Sequence, residues 1–76
     1  METKTVKLHE NEAYITLQSV LKFLDLVPSG GGVKVFLLEN EVFVNQEREN
    51  RRGRKLYPGD VIQVLGTEIH ILEHGN

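Results

Sequence analysis

Apolar residues alternate with polar ones at Val6 and Leu8, and after the polar stretch Glu10-Asn11-Glu12 the alternation resumes at Ala13, Ile15 and Leu17. A period of two predicts a short strand, a turn and a second extended segment. From Thr16 the period changes. Leu17, Val20, Leu21 and Leu24 fall at i, i+3, i+4 and i+7, the stripe of an amphipathic helix with Thr16 as its N-cap. Pro28 is expected to end this helix. Ser29-Gly30-Gly31-Gly32 then reads as a flexible turn, with Ser29 capping a second helix that turns Val33, Phe36 and Leu37 inward. Asn40 suits a left-handed helix close, and Val42 and Val44 alternate with Glu41, Phe43 and Asn45 as a strand. A polar segment from Gln46 to Lys55 leads to the turn Pro58-Gly59-Asp60 and a strand from Val61 to Leu65. A tight Gly66-Thr67 turn and a last strand carrying Ile69 and Ile71 follow. The order predicts an α+β fold, two helices on one side of a mainly antiparallel β-sheet.

Length and composition limit the possibilities. A chain of 76 residues fits one small domain, 1–76, which buries only roughly 60% of the surface its unfolded form exposes. Its 39% hydrophobic content and clear patterning imply a folded chain. There is no cysteine, so neither a disulfide framework nor a thiolate metal site can be built. No run approaches the ~20 apolar residues that span a bilayer, and Met1 to Lys7 lacks an apolar stretch after its charges. The expectation is a soluble cytoplasmic protein with no membrane partner.

Charge changes the picture more than composition does. The whole chain is net −2, yet Arg48 to Lys55 holds five basic residues and one acid, Glu49, so the rest carries four basic and ten acidic residues, net −6. Arg51, Arg52, Arg54 and Lys55 lie within five residues, with no acid inside that window to neutralise them. A positive patch focused on an acidic body attracts a polyanion in one orientation, which points to nucleic acid. The plainer reading is a solvated, charged loop.

Other constellations are weaker. His9, His70 and His74 lack the spacing and carboxylate support of a metal site. No nucleophile motif or pocket-forming pair of carboxylates is present, so the expectation is a non-enzymatic protein with no cofactor and no small-molecule substrate. Glycines before a helix can present backbone N–H groups to an anion, and Gly30, Gly31, Gly32 and Lys34 together form a candidate phosphate site; the alternative is a simple turn. Among the aromatic residues, Phe23 and Phe36 fit the core. Phe43, out of phase with Val42 and Val44, and Tyr57, beside the basic loop, are the candidates for stacking on bases.

Several of these residues together resemble the RNA-binding domain named after the fourth protein of the small ribosomal subunit, the alpha-L motif. Leu17 and Leu21 match its first helix, Ser29, Val33, Lys34 and Leu37 its second, Val42-Phe43-Val44-Asn45 its strand and Gly59-Asp60-Val61-Ile62 its turn. The match needs no gap from Thr16 to Ile62, within a core of about residues 16–65. The Ser-Gly-Gly and Arg-Arg-Gly-Arg-Lys-Leu segments look most like the small stand-alone YaaA-like members of that family. Thr16 and Gly30 stand where the family commonly has RNA-binding arginines, and Gln46 where it commonly has glycine. The resemblance implies RNA contacts at Ser29, Lys34 and Asn45, with Arg51 to Lys55 replacing the missing charge.

The combined expectation is a module that binds structured RNA, ribosomal RNA being a candidate, with Lys34 and the glycine turn holding one phosphate beside a rim of Arg51, Arg52, Arg54 and Lys55. Four phosphate contacts would give a log–log salt slope of about −3 on single-stranded RNA. The alternative is a protein-interaction module that docks its basic loop on an acidic partner of the translation or replication machinery, such as a ribosome-associated protein. A β-grasp sulfur carrier is disfavoured, because the sequence given closes on His74-Gly75-Asn76 and not on Gly-Gly.

Overall fold

The computed structural model describes residues 2–27 and 30–75. In chain order the elements are β1 (Glu2–Lys7), β2 (Ile15–Thr16), α1 (Leu17–Phe23), α2 (Gly30–Glu39), β3 (Val42–Val44), β4 (Glu47–Arg48), β5 (Lys55–Leu56), β6 (Val61–Val64) and β7 (Thr67–Leu72). The fold is α+β. A five-stranded sheet runs in the order β1-β7-β6-β3-β4, and β2 and β5 form a separate two-stranded ladder. Among the described residues β1 pairs with β7 in parallel and the other pairings are antiparallel.

Alternation places Val42, Val44, Ile62, Val64, Ile69, Ile71 and Val6 on one face of the sheet. They join Leu17, Val20, Leu21, Val33 and Leu37 of the helices in one buried cluster. On the other face Phe43, Val61, Gln63, Glu68 and His70 remain partly exposed.

Helix boundaries differ from the expectation for local reasons. Helix α1 ends at Phe23, before Pro28, because Asp25 takes a left-handed φ of 58°. The Asp25 N–H donates to the Lys22 carbonyl and the Leu26 N–H to the Leu21 carbonyl, both at 3.0 Å, which closes the helix in a Schellman motif. Leu24 and Leu26 then pack against the core from outside the helix. Phe23, expected inside, is 66% exposed. Helix α2 starts within the glycine run, so Gly30, Gly31 and Gly32 form its first turn and not a flexible connection. Pro28 and Ser29, the expected stop and cap, lie outside the described residues. Asn40 does not take a left-handed conformation. Its backbone N–H donates to the Phe36 carbonyl at 2.9 Å, continuing the helical pattern, and its side-chain amide donates to the same carbonyl at 3.1 Å.

Two hairpins have two-residue turns with positive φ at both positions, Asn45-Gln46 between β3 and β4 and Leu65-Gly66 between β6 and β7. The second turn lies one residue earlier than the expected Gly66-Thr67. Val64 and Thr67 pair directly and are both buried, so Leu65 is the residue pushed into solvent, 59% exposed.

Candidate nucleic-acid interface

The basic loop is anchored by the acid beside it. Glu49 extends the β3–β4 ladder by one position, its N–H donating to the Val42 carbonyl at 2.8 Å. Ladder partners share a face, so its side chain points the same way as that of fully buried Val42, and Glu49 is only 5% exposed. A carboxylate this buried must be matched by donors. Its Oε2 accepts from the N–H groups of Asn50 at 3.2 Å and Arg51 at 3.0 Å and from Arg51 Nε at 3.0 Å. Its Oε1 accepts from Arg51 Nη2 at 3.2 Å and Arg54 Nη1 at 2.8 Å. The side-chain hydrogen bond from Arg51 is the largest cause that holds the Glu49 carboxyl down at about 2, against the opposing effect of burial.

This corrects the expectation that no acid neutralises the cluster. Arg51 and Arg54 are both paired with Glu49, and the five charged side chains together carry net +3. Pairing leaves most guanidinium N–H groups unused: Arg51 keeps three of its five and Arg54 keeps four.

The loop is also joined to α1. The Leu17 N–H donates to the Arg54 carbonyl at 2.9 Å and the Gln18 N–H to the Arg52 carbonyl at 3.0 Å. Thr16 occupies the N-cap position, but its side chain makes no capping bond, and its hydroxyl is 2.9 Å from that of Ser19. The capping expected of a threonine side chain is supplied by the carbonyls of two arginines. Arg54 to Leu17 continues the β2–β5 register, in which Ile15 pairs with Leu56 and Thr16 with Lys55.

One step along that register in the other direction brings Tyr14 and Tyr57 together, with ring centroids 5.9 Å apart and planes tilted by 50°. Lys55 Nζ lies 5.0 Å from the Tyr14 ring centre, within cation–π range. Both tyrosines are open to solvent, Tyr14 at 39% and Tyr57 at 47%. Beside them lies an open groove of about 660 Å³ lined by Arg51, Gly53, Arg54, Lys55, Tyr57 and Asp60.

The other candidates are placed differently. Asn45 holds two turns together: its Nδ2 donates to Asp60 Oδ1 at 3.0 Å and its Oδ1 accepts from the Val61 N–H at 3.0 Å. Asp60 Oδ2 in turn accepts from the Tyr57 N–H at 2.7 Å. Phe43 is half-buried on the outer face of the sheet, where its ladder partners are Arg48 and Gln63. Arg52 is exposed on the loop, and Gly31 and Lys34 are exposed on α2, a separate element from the groove. Among the described residues no ion pair involves Lys34, and no group of three or more His, Asp or Glu side chains is gathered to hold a metal ion.

Two residues were missed in the sequence as parts of this site. Glu49 lies two residues before Arg51, and its place at the end of a ladder opposite buried Val42 makes it a buried counter-ion. Tyr14, Ile15 and Thr16 lie in register opposite Tyr57, Leu56 and Lys55. Neither placement can be read without the pairing.

No helix among the described residues is long and apolar enough to cross a membrane. No solved structure matches the chain. The chain is 58% identical over 52 residues to "Probable ribosome maturation protein RlbA" of Bacillus subtilis (strain 168), an alignment covering 68% of this chain and 73% of that protein. The family described as the S4 domain matches residues 6–72, which takes in both helices, the basic loop and all but the start of the sheet, so the chain belongs to the S4 domain family.

Proposed function

We propose that the chain is a non-enzymatic RNA-binding module that acts on the ribosome or its precursors, with the groove beside the basic loop as its RNA contact. The observation that carries this reading is the anchoring of Arg51 and Arg54 by Glu49, which sets guanidinium groups at the edge of an open groove in a member of the S4 domain family. Guanidinium groups fixed in advance lose less side-chain entropy when they meet phosphate. The ribosome maturation role in the relative's name supports ribosomal RNA as the target class. Residues 1–76 act as one domain in this reading, with an alpha-L arrangement of α1, α2 and β3. Ser29, the glycines Gly30 to Gly32 and Lys34 form a second, weaker phosphate contact, and Asn45 acts through the turns it joins.

Because Glu49 offsets one of the four cations, the salt dependence should be shallower than a simple count of arginines and lysines gives. At ~0.7 per neutralised charge on single-stranded RNA, net +3 corresponds to a log–log slope of roughly −2, not −3. Titration of ribosomal RNA fragments with the wild type and with an Arg51/Arg52/Arg54/Lys55→Ala variant over a range of salt tests this. Equal affinity and equal slope for the two proteins would remove the proposal.

A second reading is a protein-interaction module, favoured by the exposed apolar residues Val35 at 52% and Leu38 at 73% on α2. Complexes recovered from cell extract that survive nuclease treatment would support it over RNA binding.

A further inference from the structure

We infer that the Tyr14–Tyr57 pair and the adjoining groove form a site for one unpaired nucleotide, so that the RNA recognised presents a single-stranded or flipped-out base and is not read as continuous duplex. The inference rests on the RNA-binding reading above and names the kind of RNA. Three features converge on it. Tyr57 is solvent-exposed and lines the groove, so it offers an aromatic surface to an incoming base. Lys55, held over Tyr14, stands on the rim with Arg51 and Arg54 and can meet the phosphate attached to that base. The volume of about 660 Å³ lies within the ~300–1,000 Å³ range of small-ligand sites, the size class of a nucleotide.

Asp60 adds chemistry to the size argument. It is the carboxylate on a groove otherwise lined by cations, glycine and tyrosine, and the Tyr57 N–H and the Asn45 amide fix its two oxygens. Each oxygen accepts one hydrogen bond from these partners and retains a lone pair. A fixed acceptor beside a stacking surface favours a base edge that donates, such as the amino groups of guanine, cytosine or adenine.

The chain has two tyrosines and no tryptophan, so its intrinsic ultraviolet emission reports on this cluster alone. The experiment titrates the full chain with an unstructured RNA oligonucleotide and with a blunt duplex of the same composition, following both affinity and tyrosine emission. Binding of the single strand about tenfold tighter than the duplex, with quenching of the emission, is the expected result. Tyr57→Ala should lose about tenfold in affinity for the single strand and little for the duplex, while Tyr57→Phe, which keeps the ring, should bind as the wild type does. The Tyr57 side chain is exposed and its N–H bond to Asp60 is a backbone one, so both variants should fold; protection of the Leu17 and Gln18 amides verifies that the loop is intact. If the single strand binds through the four cations but leaves the emission unchanged, and Tyr57→Ala binds equally well, this inference fails while the RNA-binding reading stands. If the wild type binds neither RNA, or only an acidic protein, the RNA-binding reading fails and takes this one with it.

Discussion

The loop from Glu49 to Lys55 and the glycine-led start of α2 both offer groups suited to an anion, and they are built on opposite plans. Four kinds of contact hold the loop: a buried carboxylate, carbonyls that cap α1, a two-residue ladder and a cation over a ring. The start of α2 offers the N–H groups of three glycines and an exposed Lys34 that enters no ion pair among the described residues. The loop holds Arg51, Arg54 and Lys55 before any ligand arrives, whereas Lys34, like Arg52, must be ordered by the ligand at a cost in entropy. Charge density in a sequence therefore locates a patch, but the acid at its edge decides whether the patch is organised.

The largest contrast should lie in RNA affinity. Replacing Arg51, Arg52, Arg54 and Lys55 together with alanine should weaken binding by roughly two orders of magnitude, on the order of 0.5–1 kcal/mol for each cation lost. Lys34→Ala should cost no more than about threefold. Equal losses in a filter-binding or anisotropy assay would erase the distinction between the two regions.

A pH titration of stability probes the loop alone. The folded-state carboxyl of Glu49 is held at about 2 against an ordinary value of 4.5, so its contribution is complete above about 4.5 and is lost as pH falls through about 2. The full shift would be on the order of 3 kcal/mol, but Arg51, the main partner, has a side chain 72% exposed, and solvent screening reduces this to about 1–2 kcal/mol. Urea unfolding between pH 6 and pH 3 should show a decline that is shallower in Glu49→Gln by the Glu49 share.

Asn45→Ala should destabilise the fold by about 1–2 kcal/mol, because it removes two hydrogen bonds and places alanine at a φ of 52°. It should weaken RNA binding only in proportion to the loss of folded protein; a specific loss of affinity at full folding would return Asn45 to the contact surface. The smallest effect belongs to α2. An added Cβ at Gly31 would meet nothing within 4 Å and leaves the N–H in place, so Gly31→Ala should raise stability by about 0.5–1 kcal/mol through helix propensity and change RNA affinity less than Lys34→Ala does.

Much of the fold was legible where one face of an element is buried. Leu17, Val20 and Leu21 of α1, Val33 and Leu37 of α2, and the alternating residues of β3, β6 and β7 carry their period in the sequence because the core demands it. The ladder of β2 with β5 and the strand β4 are only two residues each, too short to show a period. The parallel placement of β1 on β7 is a long-range choice that no local pattern encodes. The end of α1 was misread because Asp25, not a glycine, takes the left-handed position, and the helix stops before the proline that looked responsible. In the candidate site the basic run and Tyr57 were visible as residue types. Glu49 and Tyr14 were not, since strand register is what buries Glu49 opposite Val42 and brings Tyr14 to Tyr57.

The measurement that bears most directly on the organising role of Glu49 is the RNA affinity of Glu49→Gln at fixed salt and neutral pH, with folding verified by protection of the Leu17 and Gln18 amides. Removing a negative charge from a cationic patch should by electrostatics alone tighten binding. If the carboxylate instead holds Arg51 and Arg54 in place, binding should weaken by about three- to tenfold despite the added positive charge. Affinity equal to or higher than that of the wild type would contradict the account and reduce Glu49 to a counter-ion that RNA phosphate simply displaces.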